Sequence, residues 1–203
     1  MKGGMKRVFD LAAAFLGVLL LSPLFIAVAL WVRVCDGSPV FFRQVRIGRG
    51  GDPFRMLKFR TMVPGAENRG ALLTVGADGR ITPTGKWLRR WKIDELPQLF
   101  NVLGGTMSFV GPRPEVARYV ARYTPEQRSV LDRMPGITDP ASIRYRDESE
   151  LLARAGDPED YYVRVLLPEK IRLNLEYGER ATVSADVRVI LKTLIPRLPP
   201  GDF

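Results

Sequence analysis

Lys92-Ile93-Asp94-Glu95-Leu96-Pro97-Gln98-Leu99 sets two adjacent carboxylates just after a basic, tryptophan-bearing run, Lys86-Trp87-Leu88-Arg89-Arg90-Trp91. Asp is a preferred helix N-cap, and Pro is tolerated in the first turn of a helix but not further in. The stretch predicts a helix capped by Asp94, with Leu96, Leu99, Phe100 and Leu103 as its apolar face and Gly104-Gly105 as its stop. The dipole at such an N-terminus keeps a carboxylate ionised. A capping Asp followed by a first-turn Glu explains the pair by local structure alone. Whether it also does chemistry depends on the rest of the chain.

Composition narrows that chemistry. The chain has 203 residues, 31 Lys plus Arg and 22 Asp plus Glu, and a net charge of +9. Such a basic chain suits an anionic partner: nucleic acid, a lipid surface or a phosphorylated substrate. There is no histidine, which removes the commonest general base, Ser-His triads and most catalytic zinc sites. The single cysteine, Cys35, excludes an internal disulfide and a multi-cysteine metal site. Acid–base or nucleophilic work falls to Asp, Glu, Lys, Tyr, Ser or Thr, and any metal should be a hard, oxygen-bound one such as magnesium.

Toward the N-terminus, Leu11 to Val32 carries no charge and is long enough to cross a bilayer core of about 30 Å. The apolar part is too long for a signal peptide, and no clear cleavage site follows it. Ser22-Pro23 interrupts the run, where Pro breaks the hydrogen-bond ladder. Lys2, Lys6 and Arg7 precede the run, and Arg33, Arg43 and Arg46 follow it. A single span cannot place both basic flanks on the cytoplasmic side; a helix that bends at Ser22-Pro23 and leaves where it entered can. A Pro-kinked transmembrane helix is the alternative, and these residues do not decide between the two.

Between this segment and the carboxylate pair, Pro39–Ile47 and Pro53–Met62 read as two strands around the turn Gly48-Arg49-Gly50-Gly51-Asp52, a β-hairpin. Strand alternation puts Lys58 and Arg60 on one face, a pair of cations suited to a diphosphate or simply a solvated strand face. Val63–Thr84 is polar and Gly-rich and reads as a loop, after which Thr84 is placed to cap a short helix bearing Trp87, Leu88 and Trp91. Tryptophan beside Lys and Arg fits a helix lying at a membrane interface. Beyond the central helix, Arg113 sits between Pro112 and Pro114, where restricted backbone freedom would lower the entropy cost of gripping a phosphate.

Taken in order, Lys58-Phe59-Arg60-Thr61-Met62, Asp94-Glu95-Leu96-Pro97-Gln98-Leu99-Phe100-Asn101-Val102, Ser108-Phe109-Val110-Gly111-Pro112-Arg113-Pro114 and Pro135-Gly136-Ile137-Thr138 resemble the bacterial sugar transferase family, the small monotopic phosphoglycosyl transferases. The Pro-bearing N-terminal segment resembles theirs too, so the likeness covers nearly the whole chain. It implies transfer of a phospho-sugar from a UDP-sugar to polyprenyl (undecaprenyl) phosphate, yielding a polyprenyl-diphosphate sugar and UMP. This is the first membrane step of surface glycan assembly (O-antigen, capsule, exopolysaccharide or glycoprotein). It also implies a reentrant membrane helix over residues 1–36 broken at Ser22-Pro23. Residues 37–203 would form a cytoplasmic catalytic domain at the bacterial inner membrane. The mechanism it implies depends on magnesium and has two steps, with Asp94 as the nucleophile forming a phosphosugar-aspartyl intermediate. Glu95 would complete the pair as a proton acceptor or by helping Asp94 hold the metal. Lys58, Arg60 and Arg113 would neutralise the diphosphate, an assignment that charge and alignment requirements support. An ionised carboxylate beside backbone N–H groups is a workable covalent nucleophile.

In the C-terminal third, Ala141–Arg146 reads as a strand, Glu148–Ala155 as a helix, and Asp157-Pro158 as a cap and first residue of another. Leu167-Pro168-Glu169-Lys170 again fits the family and opens a helical run through Tyr177; Ser184-Ala185-Asp186 opens a last amphipathic helix closed by Pro196, Pro199 and Pro200. Arg144 and Arg146 are candidate nucleotide or sugar contacts by the resemblance. The expected fold is mostly helical α+β: a reentrant helix, a small catalytic domain with a short hairpin, and interfacial amphipathic helices. The expected partners are a UDP-sugar, polyprenyl phosphate and membrane lipids, with homodimerisation left open and nucleic acid not expected. The competing reading is a non-enzymatic, membrane-anchored basic protein that binds nucleic acid or partner proteins. The chain holds no recognisable nucleic-acid module, and its basic residues are dispersed.

Overall fold

The computed structural model describes residues 2–66, 73–76 and 78–195. Helix α1 (Lys2–Cys35) runs 34 residues with Pro23 inside it. It is long and apolar enough to cross a membrane by length and composition. Pro23 deprives the Leu19 carbonyl of its usual N–H donor, and the Ser22 hydroxyl donates to that carbonyl instead, at 2.8 Å. Val8, Phe15, Leu16, Leu19, Leu20, Ile26 and Leu30 are exposed, whereas Ala14, Phe25, Val28 and Val32 are buried against the rest of the chain.

The hairpin forms as expected from its alternating apolar residues and Gly-rich turn. Strand β1 (Phe41–Ile47) pairs antiparallel with β2 (Pro53–Phe59), Phe42 opposite Lys58. The second strand stops at Phe59, so Arg60 lies just past its end. Helix α2 (Pro83–Arg90) is capped by Thr82, whose side chain accepts from the Gly85 N–H; Thr84, the expected cap, lies inside the helix. Gly85 has no room for a side chain: a Cβ there would sit 2.1 Å from the Thr61 carbonyl oxygen. Helix α3 (Gln98–Leu103) closes at Gly104, and Gly105 turns the chain at φ +82°.

A short parallel pair follows, β3 (Ser108–Val110) with β4 (Gly136–Thr138). Its edge is made by two glycines, since a Cβ on Gly111 would lie 2.2 Å from the Met134 carbonyl oxygen. Between the strands lie α4 (Ala117–Val120) and α5 (Pro125–Arg128), the latter with a capping box from Thr124 and Gln127. Helices α6 (Pro140–Arg144), α7 (Glu148–Arg154), α8 (Pro158–Tyr161), α9 (Leu167–Arg180) and α10 (Val183–Leu194) complete the chain. The strand expected over 141–146 is therefore helical: Asp139 caps it by accepting from the Ser142 N–H at 2.6 Å, with Pro140 at the first position. Asp157 caps α8 as expected, accepting from Glu159 and Asp160. The last helix begins one residue before Ser184, capped by Thr182. The terminal prolines 196, 199 and 200 lie outside the described residues.

One apolar core joins α1, β2, α2 and α3 through Phe25, Val32, Met56, Phe59, Leu88 and Val102. A second lies under α4, α7 and α9 around Tyr119, Leu152, Tyr162 and Leu166. Polar groups latch the start of α1 to the first core. Arg7 donates to the Val102 carbonyl at 2.8 Å and the Leu103 carbonyl at 3.4 Å, at the end of α3. The buried Asp10 accepts from the Ser108 hydroxyl at 2.7 Å and from the Phe109 N–H at 3.3 Å. The fold is thus mostly helical with small sheets and one long apolar N-terminal helix.

Candidate active site

Asp94 is not the cap of α3. It sits in a single 3₁₀ turn, Ile93–Glu95, while the N-cap of α3 is Pro97, which makes no side-chain cap bond. The turn is set by Lys92, the non-glycine residue at φ +55°, a backbone conformation that costs an ordinary residue about 1–2 kcal/mol and is tolerated mainly where function requires it. The reversal at Lys92 ends the basic helix α2 and delivers both carboxylates against β2.

The two carboxylates then meet opposite surroundings. Glu95 receives Lys58 from β2, Nζ to Oε1 at 2.9 Å, and the Arg113 guanidinium on both oxygens, with Nη1 to Oε2 at 3.2 Å. Arg113 is itself held: its backbone N–H donates to Asp139 at 2.9 Å, and Asp139 is wholly buried. Burial pushes the Glu95 carboxyl up, but Arg113 and Lys58 together outweigh it and hold it well below the usual carboxylate range. Glu95 raises Arg113 in return. Burial pushes Lys58 down against the pull of Glu95.

Asp94 is also buried, yet among the described residues no donor lies within hydrogen-bond distance of its carboxylate. Burial raises it, opposed by the Lys58 charge and reinforced by Glu95. Paired titratable groups whose environments push them apart mark division of labour in a site.

The other expected residues distribute unevenly. Arg60 is buried away from Glu95, donating to the carbonyls of Asp36 and Gly37 at 2.5 and 2.8 Å, just past the end of α1. Arg146 donates to the Lys192 carbonyl at 2.9 Å and lies near enough to Lys92 to disfavour its charge. Arg144 stands beside Glu169, adding to the stronger effect of Arg172 on that carboxylate. Lys58 and Arg113 are therefore brought to the pair, Arg146 to its periphery, and Arg60 and Arg144 elsewhere. Sequence reasoning missed Arg89, whose charge acts on Asp94 and whose Nε donates to Thr61 at 2.9 Å, and Asp139, the anchor of Arg113. Arg89 was hidden among the basic residues of α2, and nothing local distinguishes it.

Both Glu95 oxygens are occupied by cations, and among the described residues no group of three or more Asp, Glu or Cys stands ready to cage a metal. Magnesium ordinarily takes one or two carboxylates and completes its shell with substrate phosphates and water. Asp94, free of donors, fits that role; Glu95 as placed does not.

A model of the bacterial sugar transferase family matches residues 1–198. The chain belongs to that family. It is 45% identical over 143 residues to the Bacillus subtilis protein named uncharacterised sugar transferase EpsL, covering 70% of each chain. It is 35% identical to the UDP-glucose:undecaprenyl-phosphate glucose-1-phosphate transferase of Caulobacter vibrioides, covering 97% of this chain and 70% of that one. The Escherichia coli protein of the same name is 34% identical over 94% of this chain, but this chain spans only 39% of its length.

Proposed function

We propose that the protein transfers a sugar 1-phosphate from a UDP-sugar to undecaprenyl phosphate, releasing UMP, as the first membrane step in building a surface polysaccharide. The carrying observation is the asymmetry of the pair: Asp94 is buried and bare of donors, while Glu95 is clamped by Lys58 and Arg113. In the first step an Asp94 carboxylate oxygen attacks the phosphorus that bears the sugar. That P–O bond forms as the anhydride P–O bond breaks, and the electron pair leaves with UMP. In the second step an oxygen of the lipid phosphate attacks the same phosphorus and restores the Asp94 carboxylate. Lys58 and Arg113, held in place by Glu95, supply positive charge where the diphosphate must lie. Glu95 thus serves first as the counter-ion that organises two cations in a water-poor site. A magnesium ion bound through Asp94 and the diphosphate would add charge neutralisation.

We read α1 as a reentrant helix with residues 37–203 on the cytoplasmic face. Both ends of α1 support this by contacting the same body: Arg7 reaches α3, and Trp31 packs edge-on to Trp87 of α2 with ring centroids 5.2 Å apart. Arg7 and Phe25 would stand about 27 Å apart on a straight helix. Yet Phe25 also packs on α3, its ring 5.6 Å from that of Phe100. Trp87 and Trp91 are exposed beside Arg90, as befits a helix at a lipid headgroup surface.

The test is UMP release by detergent-solubilised protein given a panel of UDP-sugars, magnesium and undecaprenyl phosphate. Release with at least one UDP-sugar, lost in Asp94→Asn, is expected. No release across the panel, or full release by Asp94→Asn, would overturn the reading.

A further inference from the structure

Gln98 is 0% exposed, and neither its amide nitrogen nor its carbonyl oxygen has a hydrogen-bond partner. Buried amides are nearly always satisfied, and each unmade bond carries a desolvation cost. Asn101 on the same helix shows the usual outcome: its carboxamide accepts from the Leu57 N–H at 2.9 Å and donates to the Arg55 carbonyl at 2.8 Å. Gln98 therefore stands out as a polar side chain kept in the core without a structural bond to justify it.

Its position supplies the reason. Backbone turns of helical type run from Ile93 through Leu103, linked by the Leu96 N–H to the Ile93 carbonyl and the Leu99 N–H to the Leu96 carbonyl. Asp94, Gln98 and Asn101 are the polar residues buried along this stretch. Gln98 and Asn101, three apart in α3, share one face, and Asp94 precedes Gln98 by four residues in the 3₁₀ turn, which packs on β2 as α3 does. Asn101 fixes that face against β2, and Lys58 of β2 acts on Asp94. Helical side chains lean toward the N-terminus, so Gln98 leans toward the turn that carries Asp94. A buried amide without a partner therefore stands on the β2 side of the chain, four residues after a carboxylate that accepts no hydrogen bond from the described residues.

Resting on the reading above, we infer that Gln98 is a positioning residue for the nucleophile: its amide N–H, without a protein partner in the substrate-free site, orients the Asp94 carboxylate through one buried water and donates to the acyl oxygen once the phosphosugar-aspartyl adduct forms. The bare amide of the substrate-free site is the cost of this arrangement. A residue kept for such a role depresses stability while supporting rate, and an apolar isostere should reverse both effects.

The experiment compares wild type with Gln98→Met, near-isosteric and equally helix-forming, and with Gln98→Leu. Thermal unfolding and steady-state UMP release are measured on each. The inference expects Tm to rise by a few degrees in at least one variant. It expects kcat to fall at least tenfold in that variant, with KM for the UDP-sugar within about twofold. A fall in Tm and kcat together in both variants would make Gln98 a structural residue, and a raised Tm with unchanged kcat would make it idle; either overturns the inference. An inactive wild type would instead overturn the transferase reading on which it rests.

Discussion

Asp94 and Glu95 are neighbours in sequence, yet opposite fields act on them. For Asp94 the shift is upward, because burial is only partly offset by Lys58. The proposed nucleophilic role requires Asp94 to be ionised, so kcat/KM should fall as pH drops, with the acid limb centred above the ordinary aspartate value of 3.8. A limb at or below that value would contradict the burial of a bare carboxylate. For Glu95 the shift is downward, so its ion pairs contribute stability that is present above pH 4.5 and lost as pH falls through the depressed folded value. Glu95→Gln leaves the half-buried Lys58 and Arg113 without their anion, which should cost about 1.5–3 kcal/mol. Denaturant unfolding at pH 7 measures that loss, and the gap between variant and wild type should narrow in acid. A difference under 1 kcal/mol at neutral pH would show that the clamp is weak.

At the scale of elements, the site depends on how closely α2 and β3 approach their neighbours. Gly85 lets α2 press its backbone against Thr61, which also receives Arg89. Gly85→Ala should cost about 3 kcal/mol, at the upper end for overpacking. It should also reduce UMP release by shifting Arg89 relative to Asp94. Thr82→Ala, which removes the α2 cap and the hydroxyl's bond to the Asp36 carboxylate at 2.9 Å, should cost about 1–2 kcal/mol and leave turnover largely intact. Equal stability losses in the two variants, by denaturant unfolding, would deny the special approach at Gly85. These elements also show what the sequence could and could not disclose. The hairpin was legible from alternation and a glycine turn, and the Asp157-Pro158 start of α8 from local capping chemistry. The start of α3 was misplaced because Asp-Glu-Leu-Pro fits a capped helix as well as the 3₁₀ turn that the reversal at Lys92 creates. Ala141–Arg146 was too short for its apolar residues to separate strand from helix, and the Asp139-Pro140 cap decided for helix. Lys58 and Arg113, which the structure brings to the carboxylate pair, could be singled out from strand alternation, the flanking prolines and the family resemblance. Asp139, Arg89 and Gln98 were not, because their roles arise from burial and from contacts made across the fold.

At the scale of the whole molecule, the proposed reentrant path of α1 would tie membrane attachment to the candidate site. Its first turns hold the end of α3 through Arg7, and Arg60 holds the carbonyls just beyond its last turn. A reentrant path therefore predicts that both ends of α1 face the cytoplasm. Cys35 is exposed, and a Cβ at Gly4 meets nothing within 4 Å, so native Cys35 and Gly4→Cys in a Cys35→Ser background make matched probes. An impermeant maleimide should spare both in intact spheroplasts and label both after permeabilisation; labelling of one end alone in intact cells would indicate a full span. The central claim is that this membrane-held site stores the phospho-sugar on Asp94. Intact-protein and peptide mass spectrometry after incubation with UDP-sugar and magnesium, with no lipid acceptor, tests it most directly. The account predicts a mass gain equal to one sugar phosphate, located on Asp94 and discharged by added undecaprenyl phosphate. Lipid-linked product formed at full rate with no Asp94 adduct at any time would contradict it.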